Sequence, residues 1–265
     1  MTTTVRYEMA DGVATVAMNR PERRNAFSRE MIGAVIEALQ RAEADDQVRA
    51  VVVTGTGGHF SVGRDHGGPV ESRFVQGVSV QADRARLLDA SRVTTVLYEM
   101  NKPTVAEVRG GCAGAGMAIA LGCDLRYAAD DARFNTAFVD VGFSGDLGMC
   151  WLLTQVVGPA RARELMLLSP RLTAAEAFGR GLVHEVLPSE ELAGRVRAVA
   201  ARLAGAAPFA VTGARRNLQD ALSRSLGDYL PTEADRLLQC AYSPDAEEAR
   251  LAFLEKRTPH FTGAR

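Results

Sequence analysis

Up to about Pro188, apolar and polar positions alternate between two rhythms. Val5 to Met9 and Val13 to Met18 are short extended runs flanking Ala10-Asp11-Gly12, and the Asp-Gly pair between them predicts a β-hairpin. After Ser28, the residues Met31, Ile32, Val35, Ile36 and Leu39 recur at helical spacing, with the serine placed to cap the helix. Val48 to Thr54 reads as a buried strand, followed by a loop from Gly55 to Gly68. A periodic run from Leu87 to Met100 predicts a second long helix, stopped by Asn101 and Pro103, and Thr104 to Val108 predicts another strand. The repeated order of strand, glycine turn and helix predicts an α/β core with parallel pairing. Beyond Pro188 the spacing is helical throughout: Leu192 to Leu203, Pro208 to Leu222, Tyr229 to Cys240 and Asp245 to Leu254. The last quarter is therefore expected to be all-α. No Pro/Ser-rich linker sets it apart, so these helices should pack on the core or on neighbouring subunits.

Composition narrows the function classes. The chain has 265 residues, 47% hydrophobic, enough to bury a sizeable core. Its formal net charge is -1, which argues against nucleic acid or an anionic membrane as the main partner, since both need a concentrated basic face. The only lysines are Lys102 and Lys256. Cys112, Cys123, Cys150 and Cys240 have no CxxC spacing and no histidine nearby in sequence, which fits a reduced cytoplasmic protein and supports no metal site. The first residues lack the basic-then-apolar order of an export signal, and no run of 18 apolar residues occurs, so a soluble, unexported protein is expected.

The candidate chemistry lies in two glycine turns that follow strands: His59-Phe60-Ser61-Val62-Gly63-Arg64-Asp65 and Gly110 to Gly116. Neither is a nucleotide fingerprint. Gly114-Ala115-Gly116 runs into Ile119 where a dinucleotide loop needs a small residue, Gly55-Thr56-Gly57 runs into Phe60, and no GxxxxGK[ST] occurs. Each turn offers backbone amides at a strand end, where open α/β sheets bind ligands. Two such amides converging on one carbonyl oxygen would form an oxyanion hole. Other schemes are weaker. Gly142-Phe143-Ser144-Gly145-Asp146 lacks the final glycine of a nucleophile elbow, and His59 and His66 read as hydrogen-bonding or surface histidines.

Collinear pieces of the sequence resemble the crotonase, or enoyl-CoA hydratase/isomerase, superfamily. They are Asn19-Arg20-Pro21 with Asn25-Ala26, VVVTGTGGHFSVGRD, Pro103 to Ala106 running into VRGGCAGAG, Cys123-Asp124-Leu125, Gly158 to Ala162, Ala174 to Ala177, Gly181-Leu182-Val183 and Glu255-Lys256-Arg257. The resemblance implies a spiral of ββα units over residues 1–205 and a C-terminal helical region over 206–265 that makes trimers or dimers of trimers. It also implies an acyl-CoA thioester as substrate, with coenzyme A entering only as part of it and no separate cofactor. The oxyanion donors carried over are the backbone N–H groups of Arg64 and Ala115, framed by Ser61, Gly63 and Gly114. Arg23 and Arg24 fall at the mouth where relatives hold coenzyme A, and Phe253 and Lys256 fall where relatives reach the coenzyme A of a neighbouring subunit.

The chain departs from the hydratase pattern at the acids. Alignment to the family puts Ala118 and Phe138 at the positions of the two glutamates that hold and activate water. Neither side chain polarises water, so hydration by the usual route is not expected. Asp146 falls at the start of the helix that lines the acyl pocket, where some isomerases of the family carry their catalytic aspartate, with Phe138, Phe143 and Leu147 as its apolar surroundings. One carboxylate suffices for a 1,3-proton shift. Asp146 is therefore the expected acid/base, with capping of that helix as its structural alternative. Asp140, between Val139 and Val141 in apparent strand alternation, reads as structural or exposed. The acyl pocket is expected to draw on Phe74 to Met100 and Phe138 to Trp151. The leading expectation is an acyl-CoA isomerase; the alternatives are a non-catalytic acyl-CoA-binding subunit and a hydratase with relocated acids.

Overall fold

The computed structural model describes residues 3–65, 67, 77 and 79–263; His66 and Phe74 lie outside this range. β1 (Val5–Ala10) and β2 (Val13–Met18) form the expected antiparallel hairpin. Asp11 and Gly12 at its tip both take positive φ, 51° and 75°, the type I′ geometry whose twist matches the strands it joins. From β2 onward the chain repeats one unit: a strand for the main sheet, a short extended rung, then a helix. The first turn is β2, a rung at Phe27 and α1 (Arg29–Ala44). The second is β3 (Ala50–Gly55), rungs at Ser61 and Arg64, and α2 (Val80–Glu99). The third is β4 (Thr104–Val108), β5 (Gly111–Ala113) and α3 (Ala115–Gly122). The fourth is β6 (Leu125–Ala129), β7 (Arg133–Asn135) and α4 (Met149–Leu168). β8 (Leu172–Thr173), α5 (Ala174–Gly179), β9 (Glu185–Leu187) and α6 (Ser189–Ala204) complete the core.

The main sheet runs β1-β2-β3-β4-β6-β9, parallel except for the hairpin. The rungs build a second ladder: Phe27 bridges Arg64, Ser61 bridges Cys112 of β5, β5 pairs with β7, and β7 with β8. This is the α/β spiral of ββα units expected from the sequence.

Burial explains the strand composition. Val16, Val51, Val53, Ala106 and Ala128 face one apolar core shared with α1 to α4, while Val52, Val105, Tyr127 and Ala129 face a second core closed by α6. Strands covered on both faces need apolar residues at successive positions, hence the run at Ala50–Val53. The serine cap of α1 is in place, Ser28 Oγ accepting the Met31 N–H at 3.2 Å.

The last quarter is helical as expected, with α7 (Pro208–Ala221), α8 (Leu226–Ala241) and α9 (Pro244–Glu255). α7 docks on its own core through Arg215, which is 8% exposed. Its guanidinium bonds Asp124 at 2.7 Å and the carbonyls of Leu97 and Met100. α8 buries none of its residues and exposes Leu226, Leu230, Leu237 and Leu238. Among the described residues, no helix is long and apolar enough to cross a membrane.

One local expectation needs correcting, and one structural alternative is excluded. Val139–Val141 is a 3-10 turn, not a strand, because Gly142 takes φ 77° and its N–H returns to the Val139 carbonyl. Asp140 is nonetheless structural, its carboxylate accepting the Ser169 hydroxyl at 2.9 Å. Asp146 does not cap α4. That helix begins at Met149 behind Gly148, which caps it at φ 73° with no side-chain bond.

Candidate active site

The second and third turns of the spiral bring the two glycine loops against each other. Ser61 exchanges backbone bonds with β5: its N–H reaches the Gly111 carbonyl at 3.0 Å and its carbonyl accepts the Ala113 N–H at 2.9 Å. Two residues on, Gly63 turns at φ 91°. A Cβ there would stand 3.0 Å from the Ala113 carbonyl oxygen and 3.3 Å from the Ala115 nitrogen, so the chain just before Arg64 lies directly against the start of α3. Gly114, at φ 51° and ψ -124°, makes the matching turn from the other side. Ala115 is the first residue of α3, and its N–H precedes the first intrahelical bond, which Ala118 makes back to Gly114. Gly116 allows the helix to seat on Ser61, whose carbonyl oxygen would be 2.3 Å from an added Cβ.

Asn25 fixes this arrangement from the first turn of the spiral. Fully buried, it accepts the Arg20 N–H and donates to the carbonyls of Thr56 at 2.9 Å and His59 at 2.7 Å. Its own carbonyl accepts the Ser61 hydroxyl at 2.7 Å, and Ser61 Oγ in turn accepts the Gly63 N–H at 3.2 Å. Sequence reading treats Asn25 only as part of a motif. Apart from Arg20, its partners lie 31 to 36 residues away, and no local pattern marks them. His59 is a hydrogen-bonding histidine as expected, its Nδ1 accepting the Gly111 N–H at 2.9 Å.

The fourth turn supplies the carboxylate. Asp146 lies 82 residues from Arg64, yet its Oδ2 accepts both Arg64 Nε at 3.1 Å and the Arg64 terminal nitrogen. Both side chains are largely enclosed, 16% and 12% exposed. The residue whose backbone was expected to donate to a thioester oxygen thus also holds the expected acid/base. Leu147 and Phe138 are buried, as are Ala118 and Met149. Phe143, expected in the apolar wall, is 47% exposed in the single chain.

The expected coenzyme A contacts are placed less uniformly. Arg23 is committed to Asp65 at 2.7 Å, with Arg20 on the other carboxylate oxygen at 3.0 Å, and these bonds hold the Asp65 carboxyl down to about 2. Arg24 is exposed in left-handed backbone, φ 51°, and its carbonyl accepts the Val62 N–H, which fastens the mouth segment to the Gly63 turn. Phe253 is 83% exposed near the end of α9, and Lys256 closes that helix at φ 54°. Cys112 is fully buried within the glycine turn, and burial pushes its thiol far up, which makes it packing and not a nucleophile. Among the described residues, no group of three or more His, Cys, Asp or Glu is placed to hold a metal ion.

Known proteins resemble the chain over nearly its whole length. The family described as enoyl-CoA hydratase/isomerase matches residues 8–264. A 1,2-epoxyphenylacetyl-CoA isomerase of Escherichia coli strain K12 is 35% identical over 254 residues, covering 95% of both chains. A probable enoyl-CoA hydratase of Rhodobacter capsulatus is 36% identical over 261 residues, covering 98% of both. The solved structure of an enoyl-CoA hydratase from Polaromonas sp. JS666 superimposes with a TM-score of 0.90 at 29% identity, covering 97% of this chain and 99% of that one.

Proposed function

The chain belongs to the enoyl-CoA hydratase/isomerase family, and on that premise we propose that it is an acyl-CoA isomerase with Asp146 as its single acid/base. The observation that carries this reading is the Asp146 carboxylate, held inside the site by Arg64 where a capping aspartate would have turned to the amides of α4. Ala118 and Phe138, at the two positions where hydratases of the family carry glutamates, offer no group to activate water.

In the proposed reaction the thioester carbonyl lies between the N–H groups of Arg64 and Ala115. The Asp146 carboxylate removes a proton from the α or γ carbon, and the electron pair moves into the carbonyl, leaving a dienolate. Two preorganised amides stabilise the oxyanion without reorganising, a contribution of about 3 to 4 kcal/mol per donor. The carboxylic acid then returns the same proton to the other carbon, which shifts the double bond and regenerates the carboxylate. Ring rearrangement of an activated acyl group would use the same enolate. Coenzyme A enters as part of the substrate, with the Arg23–Arg24 segment at its mouth. The exposed leucines of α8 supply a face for a trimer or a dimer of trimers, in which Phe253 and Lys256 would meet a neighbour's ligand.

Asp146→Asn tests the reading. Its turnover of enoyl-CoA esters, and its deuterium wash-in at the α and γ carbons, should fall by at least about a hundredfold with ester binding retained. Unchanged exchange in that variant would refute Asp146 as the base. Stabilisation by esters without any exchange in the unaltered protein would establish a binding subunit instead, and water addition would establish a hydratase.

A further inference from the structure

Arg64 contributes to the site twice, and the two contributions are separable. Its backbone lies at the Gly63 turn, where the side chain's identity leaves the N–H in place. Its guanidinium reaches across to the fourth turn of the spiral and binds Asp146 in an uneven way: Nε and one terminal nitrogen converge on the same oxygen, Oδ2. Oδ1 accepts no hydrogen bond among the described residues. A side-by-side Arg–carboxylate fork would have engaged both oxygens. Convergence on one oxygen instead fixes the plane and rotation of the carboxyl group while keeping the other oxygen open.

The segment bearing Asp146 has little of its own to hold it. It sits between Gly145 at φ 130° and Leu147 at φ 51°, ahead of a helix that it does not cap, and among the described residues its backbone is tied by one bond, from the Met149 N–H to its carbonyl. Without an external anchor, rotation about the side-chain bonds would spread the carboxylate over several rotamers. From these observations we infer that the Arg64 side chain is a positioning residue for Asp146, holding Oδ2 so that Oδ1 is the oxygen that takes and returns the substrate proton. This inference rests on the isomerase reading above and adds to it which oxygen acts and what orients it. Proton transfer needs the base within hydrogen-bond reach of the reacting carbon, and a displacement of about 1 Å costs about a hundredfold in rate.

The test compares Arg64→Ala, Arg64→Lys and Asp146→Asn, measuring deuterium wash-in and isomerisation of an enoyl-CoA ester. Arg64→Ala should lose about a hundredfold in kcat with KM changed by less than about threefold, because the backbone donor and the thioester site stay intact. Methylguanidinium should restore at least about tenfold of that loss in a saturable way, refilling the anchor for Asp146 Oδ2. It should do nothing for Asp146→Asn. Arg64→Lys should fall between the two, since an ammonium supplies charge without the planar pair of donors. Arg64→Ala within about threefold of the unaltered kcat overturns the inference, as does a full loss that methylguanidinium fails to relieve in a protein whose thermal midpoint and ester affinity are unchanged. Full activity in Asp146→Asn marks the different failure, that of the isomerase reading itself.

Discussion

The convergence of the two glycine turns can be tested with one methyl group. Gly63→Ala places a Cβ 3.0 Å from the Ala113 carbonyl oxygen and 3.3 Å from the Ala115 nitrogen, against the N–H proposed to hold the substrate oxygen. Two costs combine. At φ 91° an L-residue is strained by about 1 to 2 kcal/mol, partly offset by about 0.4 to 1 kcal/mol from the reduced freedom of the unfolded chain. The contact must then be relieved by backbone movement, because both nearest atoms belong to the main chain. A shift that spoils one oxyanion donor lowers kcat by about 10²- to 10³-fold. Gly58→Ala separates the costs: it has nearly the same φ, 85°, but, chain neighbours aside, no atom of the described residues within 4 Å of its Cβ. That variant should show only the strain, a net loss below about 1.5 kcal/mol, with turnover unaffected. Urea denaturation gives the stability difference, and deuterium wash-in at the acyl α carbon gives the activity. If Gly63→Ala exchanged within about threefold of the unaltered protein, the proposed hole between the two turns would be wrong.

Arg215→Ala should destabilise the chain by about 3 kcal/mol, because it removes the buried cation that ties α7 to Asp124 and to the carbonyls of Leu97 and Met100; equilibrium unfolding in urea measures it. Asp65 links stability to acid. Its carboxyl is lowered from 3.8 to about 2, first by Arg23 and also by Arg20 and the Gly67 N–H, so the stabilisation is fully present above the unfolded value and is lost as pH falls from about 4 through about 2. Asp65→Asn should flatten the dependence of unfolding free energy on pH across that window, with no change in slope above pH 5; an unaltered slope would contradict the assignment.

Much of the fold is legible in local pattern. The hairpin tip, the Ser28 cap, the strand at Thr104–Val108 and the four helices beyond Pro188 follow from residues near one another, where turn geometry and periodicity act. The short strands β7, β8 and β9 escape such reading, because two or three residues carry no period and their pairing comes from neighbours brought by the spiral. Val139–Val141 alternates like a strand but is closed into a turn by Gly142.

The same division holds at the site. Residue order alone points to two glycine turns after successive strands and to an aspartate, Asp146, ahead of a helix, while the resemblance to the family adds the expectation that Ala118 and Phe138 stand where hydratases carry glutamates. Those are matters of residue identity and order. What Asp146 does with its carboxylate, that Arg23 is already bound by Asp65, and that Asn25 ties its own loop to the loop after β3 emerge only in three dimensions. Each of these contacts joins residues from different turns of the spiral, between 31 and 82 positions apart. A hydrogen bond depends on distance in space, and along this chain that distance is set by the stacking of whole strand–rung–helix units, which no window of sequence contains.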